Sequence, residues 1–427
     1  MSSPSTEIAL RGGNEAAHEQ RLLCPGQSYL ERLGIVYMDQ IRLTIVTELY
    51  QREMSIRQFC ATFGGDYPAV RRHFVKLVEA GWLRKVRPVD VGGRGRPEDL
   101  YRSTELAVID TATWRTIPFS IRDAFTIQLL EEMASRVGEA LGAGIADALP
   151  GRVSTFKTVE VDELAWCKAH KAVELCFQIL LREQIDAKIR LDRSGDQPLQ
   201  MVVNLAAFEA PGPAPEGGVT ELPTAAAIAS PPPWNERIGK VFANRLDLEI
   251  VNELNQNALT PGQLESTLGG PPSRTILRRC KRLTDDGWAV TIDKETGGAL
   301  HGASVYRFRA AKPNVSVADI FDRIPAAVRK GPTWACFEPF IATSIAAVET
   351  GRFNNRFDRH LTMTPLVVDE IGRCQVTRAL HAFEKAVLKV EDEMKKRRRG
   401  KNFKSFRAAF LQSSFQSPLR DVRSKFR

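Results

Sequence analysis

The amino-acid sequence predicts a mainly α-helical protein with small β-hairpins, an α+β fold in which two similar heads are each followed by a helical tail. The first observation behind this prediction is a duplication, because residues 39–102 and 244–307 match at an offset of 205 or 206 positions. The second is a succession of apolar residues at helical spacing in each copy. The third is a Gly-rich stretch between two strand-like runs in each copy, which is typical of a hairpin.

The first two helices of each head follow from residues 41–65 and 246–270, which read IRLTIVTELYQREMSIRQFCATFGG and LDLEIVNELNQNALTPGQLESTLGG. Apolar residues at mixed helical spacing predict a first helix with one buried face. Ser55-x-x-Gln58 and Thr260-x-x-Gln263 are capping boxes, in which the hydroxyl accepts a first-turn amide and the glutamine reaches back. A short second helix is therefore predicted in each copy, ending at a Gly-Gly pair.

A third helix with one buried and one basic face follows in each copy. In the first copy its buried face consists of Val70, Phe74 and Leu77, spaced four and then three residues apart. A helix fits the major groove of duplex DNA, where arginine can bond a guanine edge, so the basic face predicts a recognition helix; the alternative is a solvated basic surface. The candidate DNA-binding residues are Arg71, Arg72, His73 and Lys76 in the first copy, and Ser273, Arg274, Thr275, Arg278, Arg279, Lys281 and Arg282 in the second.

Each copy then passes through a Gly-Trp turn into a predicted hairpin that closes on a Tyr-Arg pair, at residues 101–102 or 306–307. The tip of the first hairpin reads Arg-Gly-Arg-Pro and resembles the core of the AT-hook motif. Arg94 and Arg96 are therefore predicted to enter a narrow minor groove, the alternative being an ordinary mobile tip. The second tip lacks arginine and is expected to contribute less.

This succession of a helix, a capped helix, a basic helix, a Gly-Trp turn and a hairpin resembles winged-helix regulators of the ArsR and MarR type, over residues 39–102 and 244–307. The hairpins would then be the wings of two winged-helix heads. Members of that family commonly dimerise so that two heads face one operator, and the resemblance implies that this chain carries both heads covalently. The cysteine pair of metal-responsive members is missing from the third-helix region, so metal sensing is not implied. RFNNRFDRHLTMTPLVVDEIG from Arg352 also resembles family tails, and MVVNLAAFEAP from Met201 suggests a closing strand.

The duplication and the composition together predict the domain boundaries. Weaker matches beyond the heads, at an offset of 207, indicate that the tails are also duplicated, and a stretch rich in proline separates the two copies. The expected segments are an N-terminal extension (1–38), winged helix 1 (39–105), helical tail 1 (106–208), a Pro/Ala-rich linker (209–235), winged helix 2 (236–310), helical tail 2 (311–394) and a basic C-terminal arm (395–427).

The net charge of +9 is concentrated in the C-terminal arm, which holds twelve Lys or Arg and one acid, whereas the other 394 residues carry 48 basic and 50 acidic side chains. A disordered arm that adds sequence-independent phosphate contacts is one interpretation, and a dispensable solvated extension is the other. DNA recognition by the body must depend on local basic patches.

Several other classes of function are disfavoured. The seven cysteines are scattered without a C-x-x-C pair, and no H-E-x-x-H, G-x-S-x-G or Walker-type motif occurs, so neither an enzyme nor a cofactor is expected. Cys167-x-x-His170 could place two metal ligands on one helix face, but packing of a partly buried helix explains the pair as well. With no signal peptide and no long apolar run, we expect a soluble cytoplasmic, nucleoid-associated protein without membrane contact.

These observations predict a sequence-specific, double-stranded DNA-binding transcriptional regulator with two recognition helices in one chain, acting as a monomeric pseudo-dimer or as a homodimer. The helices would enter successive major grooves roughly 34 Å apart and, because they differ, would read an asymmetric site. The alternatives are a DNA-binding protein of plasmid replication or chromosome organisation, and a winged-helix protein-docking module. Aromatic residues in the tails could enclose a small-molecule effector, or could equally form core or dimer interface.

Overall fold

The computed structural model describes residues 28–89, 97–105, 107, 109, 111–147, 151–195, 197–211, 234–296, 304–311, 320, 324, 329, 332–398 and 405–416. The described chain is mainly helical with small antiparallel sheets, as the predicted α+β class requires. The described residues form two compact units: the head unit contains those within 1–118 and 228–309, and the tail unit contains those within 119–227 and 310–419.

The order of elements repeats between the two halves of the chain. The first half contains α1 (Tyr29–Tyr37), α2 (Gln40–Gln51), α3 (Ile56–Phe63), α4 (Tyr67–Glu79), β1 (Leu83–Val89), β2 (Glu98–Ser103), α5 (Thr111–Thr116), α6 (Phe119–Gly142), β3 (Ser154–Val161), α7 (Glu163–Ser194) and β4 (Leu199–Glu209). The second half contains α8 (Trp234–Phe242), α9 (Arg245–Gln256), α10 (Pro261–Leu268), α11 (Ser273–Asp285), β5 (Ala289–Thr296), β6 (Ser304–Ala310), α12 (Pro332–Glu349), β7 (His360–Val368), α13 (Glu370–Arg398) and β8 (Phe406–Gln416).

Local sequence signals set the helix boundaries in both heads. The two predicted capping boxes are confirmed at the starts of α3 and α10, where each cap hydroxyl accepts the third amide and the glutamine accepts the cap amide. After the third helix, Gly81 and Gly287 adopt positive φ angles of 72° and 76°, which turn the chain into the hairpin. The tryptophans that follow them, Trp82 and Trp288, are fully buried.

Each hairpin gains a third, one-residue strand from the segment before the second helix. Met54 bridges to Tyr101 in the first copy, and Leu259 bridges to Phe308 in the second. The predicted equivalence of the two Tyr-Arg pairs is therefore wrong by two residues, because Phe308, not Tyr306, occupies the place of Tyr101. The offset between the copies therefore changes from 205 at Met54 to 207 at Tyr101, before the end of the hairpin. The two Tyr-Arg pairs match in sequence but do not occupy equivalent positions.

The two heads pack against each other through α1 and α8, which cross at glycine. A Cβ on Gly34 would lie 2.8 Å from the carbonyl carbon of Phe242 and 2.9 Å from the Cα of Ala243. On the other helix, a Cβ on Gly239 would lie 2.6 Å from the Cα of Met38. Because the two contacts are equivalent under the repeat, the helices are related by a pseudo-two-fold axis, and only glycine permits this approach.

The tail unit is built on a four-stranded sheet of order β3-β8-β4-β7, with antiparallel neighbours throughout. Each copy supplies one strand, a long helix and a second strand. Each outer strand pairs with a strand of the other copy, so the two copies are interlaced. Leu205 lies opposite Gln412, its own counterpart in the repeat, which places the pseudo-two-fold axis between the central strands.

Helices cover both faces of this sheet. On one face, α7 and α13 pack over a core that includes Trp166, Val173 and Phe383. On the other face Phe340 of α12 packs edge-on against Phe208, with ring centroids 6.2 Å apart, and Phe353 in the following turn stacks on Phe208 at 4.2 Å. Because both faces are covered, the two central strands, β4 and β8, are buried over most of their length.

Two salt bridges tie the long helices together and repeat the pseudo-symmetry. Arg190 of α7 bonds both carboxylate oxygens of Asp369, the N-cap of α13, at 2.6 and 2.8 Å. Arg397 of α13 occupies the equivalent position and pairs with one oxygen of Asp162, the N-cap of α7, at 2.8 Å. Each helix therefore has its start fixed by the end of the other.

Three expectations differ from the structure. The segment expected to be an N-terminal extension contributes α1, which packs between the heads. The tails are not only helical, although the closing strand expected from Met201 is confirmed as β4. The expected disordered arm contains the end of α13 and strand β8, which lies inside the sheet because its apolar residues are needed in the core. Residues 212–233 of the expected linker lie outside the described residues.

Candidate nucleic-acid interface

The third helices, α4 and α11, present corresponding basic faces in the head unit. Their apolar residues, Val70, Phe74 and Leu77 in α4, are buried against the rest of the head, which turns the other face outward. Arg72 of α4 and Arg278 of α11 occupy the same position in the repeat, and both are exposed. Each head therefore offers one central arginine to a partner.

Fewer of the candidate basic residues are exposed and unpaired than the sequence predicted. Arg71, Arg72 and Lys76 on α4 are exposed, as are Arg274, Arg278 and Lys281 on α11. Lys281 lies over the ring of Tyr306, with its Nζ 5.2 Å from the centroid. Within the described part of the chain, Arg72, Arg274 and Arg278 have no carboxylate at salt-bridge distance, so their guanidinium groups can bond an external acceptor.

Arg279 and Arg282 are instead used inside head 2. Both bond Asp247 of α9, whose side chain is only 2% exposed; Arg279 does so at 3.1 Å. A buried carboxylate is tolerated when cations of this kind surround it. We therefore reassign Arg279 to support of the helix and expect Arg282, which is half exposed, to divide its donors between Asp247 and the outside.

The same position in head 1 carries a different polar pair. His73, the counterpart of Arg279, accepts a hydrogen bond from Arg42 Nε through Nδ1 at 3.3 Å, and Asp39 lies 3.4 Å away. Burial lowers the pKa of His73, with Arg42 adding to the effect and Asp39 opposing it. His73 is thus placed between α2 and α4 and does not face outward with Arg72.

The N-termini of both third helices are already occupied by carboxylates. Asp66 accepts the amide of Ala69 at 3.3 Å, and Glu265 accepts the amide of Ser273 at 2.9 Å. An external anion at either terminus would meet a like charge, so these helix starts are unfavourable sites for a phosphate. Ser273 and Thr275 are half-buried beside this cap and are poorly placed for base contact.

The first hairpin adds basic residues that the sequence reading did not select. Arg84 and Arg87 of β1 are exposed, and Arg84 lies directly opposite Arg102 of β2. The neighbouring Lys85 is paired with Asp99 at 2.6 Å. The run LRKVRPV carried the signal, because three of its seven residues are basic. Arg94 and Arg96 lie outside the described residues.

No alternative chemistry is assembled among the side chains that the structure describes. They contain no group of three or more His, Cys, Asp or Glu residues that could hold a metal ion. Cys167 is exposed, whereas Cys176 is buried and its pKa is raised to about 12 by that burial. No helix in the described ranges is long and apolar enough to cross a membrane.

Comparison of the chain with models of protein families, with curated proteins and with solved structures yields no match.

Proposed function

We propose that each head is a winged helix and that the chain is a sequence-specific, double-stranded DNA-binding transcriptional regulator. The observation that carries this proposal is the pair of exposed, equivalent arginines, Arg72 and Arg278, on the third helices of two pseudo-symmetric heads. A bidentate arginine contact with guanine is the commonest specific contact in the major groove.

The local architecture supports the winged-helix assignment. Three helices, a hairpin and the bridge from the segment before the second helix occur in the same order in both heads. The close crossing of α1 and α8 fixes the two third helices within one unit, as a dimer interface would. In this proposal the two helices enter successive major grooves, spaced by roughly 34 Å.

The recognition surfaces of the two heads differ, which supports an asymmetric site. Head 1 presents Arg71, Arg72 and Lys76 and adds the basic strand β1, whereas head 2 presents Arg274, Arg278 and Lys281. Arg72 and Arg278 are the shared position, and the flanking residues are not shared. One half-site should therefore differ from the other in sequence and in its dependence on phosphate contacts.

The test is selection of binding sites from a random duplex pool by the wild type and by the single variants Arg72→Ala and Arg278→Ala. Loss of a bidentate base contact costs about 1–3 kcal/mol and relaxes the sequence preference at the contacted position. We expect the wild type to enrich a motif with two unlike halves. Each variant should then lose preference in one half and keep it in the other.

The matched control is Arg182→Ala, which removes an exposed helical arginine of the tail unit. It should leave the selected motif unchanged. Binding of all duplexes with equal affinity and a steep salt dependence would show a sequence-independent DNA binder instead. If DNA affinity is the same for the wild type and both head variants, the heads are protein-docking modules and the proposal fails. A substitution of Arg279 by Glu would not test DNA contact, because it would place a second carboxylate beside the buried Asp247 and destabilise the head.

A further inference from the structure

A buried arginine in the tail unit lies outside the DNA-binding proposal. Arg122 is in the first turn of α6 and is 9% exposed. Its guanidinium carbon lies 5.3 Å from the ring centroid of Phe119 and 5.0 Å from that of Phe357. The two aromatic rings pack near the guanidinium, but they provide no hydrogen-bond acceptor for its N–H groups.

One edge of Arg122 has no acceptor. Its Nη1 donates to the carbonyl oxygen of Asn354 at 3.3 Å. Its Nε is buried and has no hydrogen-bond partner among the described residues. Burying an N–H donor without an acceptor costs free energy, and the cost is larger when the donor belongs to a charged group. The site is therefore unfavourable unless a ligand accepts the hydrogen of this Nε.

A second guanidinium lies nearby and increases the positive potential. Arg359 Nε donates to Asn354 Oδ1 at 2.6 Å, and Asn354 Nδ2 donates to Asp123 Oδ1 at 2.7 Å. Burial, together with the charge of Arg122, lowers the pKa of Arg359 to about 9, and Asp123 opposes this shift. Two arginines and the single carboxylate of Asp123 thus surround one asparagine, where burial disfavours the arginine charges and Asp123 offsets this in part.

We propose that this cluster binds a small oxyanion, a carboxylate or a phosphate, at the free edge of Arg122. Arginine bonds such groups through two parallel N–H donors, and the start of α6 contributes the positive end of its dipole. Phe357 is 41% exposed and so forms the solvent side of the site. In this proposal its ring moves aside when the anion enters. A packing role alone would be served at lower cost by an apolar side chain of similar length.

The site differs from the DNA-binding surface in every residue. It lies in the tail unit, whereas Arg72 and Arg278 are in the head unit. The segment that supplies Asn354, Phe357 and Arg359 has no counterpart of similar sequence in the first copy. The ligand is therefore expected to bind once per chain, and its binding does not depend on the DNA-binding proposal.

The test is thermal unfolding of the full chain in increasing sodium phosphate or sodium acetate, with ionic strength held constant by sodium chloride. The variants are Arg122→Gln and Arg122→Lys, with Arg182→Gln as the matched control. We expect a saturable rise in Tm with at least one anion for the wild type and for the control, because a ligand stabilises the state to which it binds. Arg122→Gln should lose this rise, and Arg122→Lys should need about tenfold more anion because it cannot make a bidentate contact.

Two results would overturn the proposal. A Tm that rises linearly and equally in all proteins would show general salt exclusion from the surface and no site. A saturable rise retained by Arg122→Gln would place the anion elsewhere. If Arg122→Gln does not fold, the comparison of Arg122→Lys with the wild type decides the question, since equal midpoints of saturation would contradict the proposed bidentate contact.

Discussion

Replacing Gly34 by alanine tests the crossing of α1 and α8 that joins the heads. In an isolated helix this change is stabilising, by up to about 1 kcal/mol, because glycine loses more backbone entropy on folding. In the head unit the added Cβ would lie 2.8 Å from the carbonyl carbon of Phe242, and ordinary contact begins near 3.4 Å. The two backbones must therefore separate by at least about 0.6 Å, and overpacking of this kind costs about 1–3 kcal/mol.

Gly262→Ala in α10 is the matched control, because it makes the same chemical change where no atom lies within 4 Å of the new Cβ. We expect the control to gain about 0.5–1 kcal/mol and Gly34→Ala to lose stability, each kcal/mol shifting Tm by about 2–4 °C. The assay is thermal unfolding followed by circular dichroism. Equal Tm shifts in the two variants would refute the close crossing.

Two further predictions concern buried or paired charges. Arg279→Ala should lower the free energy of unfolding by about 3 kcal/mol in chemical denaturation, because it removes a partner from buried Asp247; a loss no larger than that of Arg278→Ala would contradict the support role. The hydrogen bonds of Arg190 depress the pKa of Asp369 to about 2, so their stabilisation is complete above about pH 4 and is lost as the pH falls through 2. Asp369→Asn keeps the helix cap and should flatten the dependence of stability on pH between 4 and 2, and an unchanged dependence would exclude this pair as its cause.

Much of the head architecture could be predicted from the sequence because its signals are local. Capping boxes, Gly-Trp turns and four-then-three apolar spacing each lie within one or two helical turns. The helix α1 was missed although YLERLGIVY and WNERIGKVF carry the repeat at an offset of 205.

The tail sheet could not be predicted from periodicity, because its strands pair across the two copies. Thr155, for example, lies opposite Gln412. The position of β8 was nevertheless accessible: once β4 was suggested from Met201, the offset of 207 placed a second strand at residues 406–416. The high positive charge of residues 395–427 favours a solvated arm, whereas the apolar and aromatic residues of FRAAFLQSSFQ are typical of a strand.

The basic faces of the third helices could be predicted from the sequence. Which of their arginines are exposed and which bond a carboxylate within the head could not. Helical spacing places Arg278 and Arg279 side by side, and only the fold shows that Asp247 on another helix bonds the second of them. In head 1 the positions of Asp247 and Arg279 hold Arg42 and His73, so there the arginine lies on the other helix of the pair. Covalent fusion permits this divergence, because each half can change without its partner.

The interlaced sheet has a consequence for biosynthesis. A ribosome delivers β3 and β4 long before β8, the strand that lies between them. Until the second half is made, both edges of β4 lack their hydrogen-bonding neighbours, and such edges are prone to wrong pairing. The head elements can fold early from local contacts, whereas the tail unit must wait for the last strand and should fold slowly. Chaperones or slow translation would therefore act on the nascent first half, and a chain truncated before Phe406 would retain an open sheet.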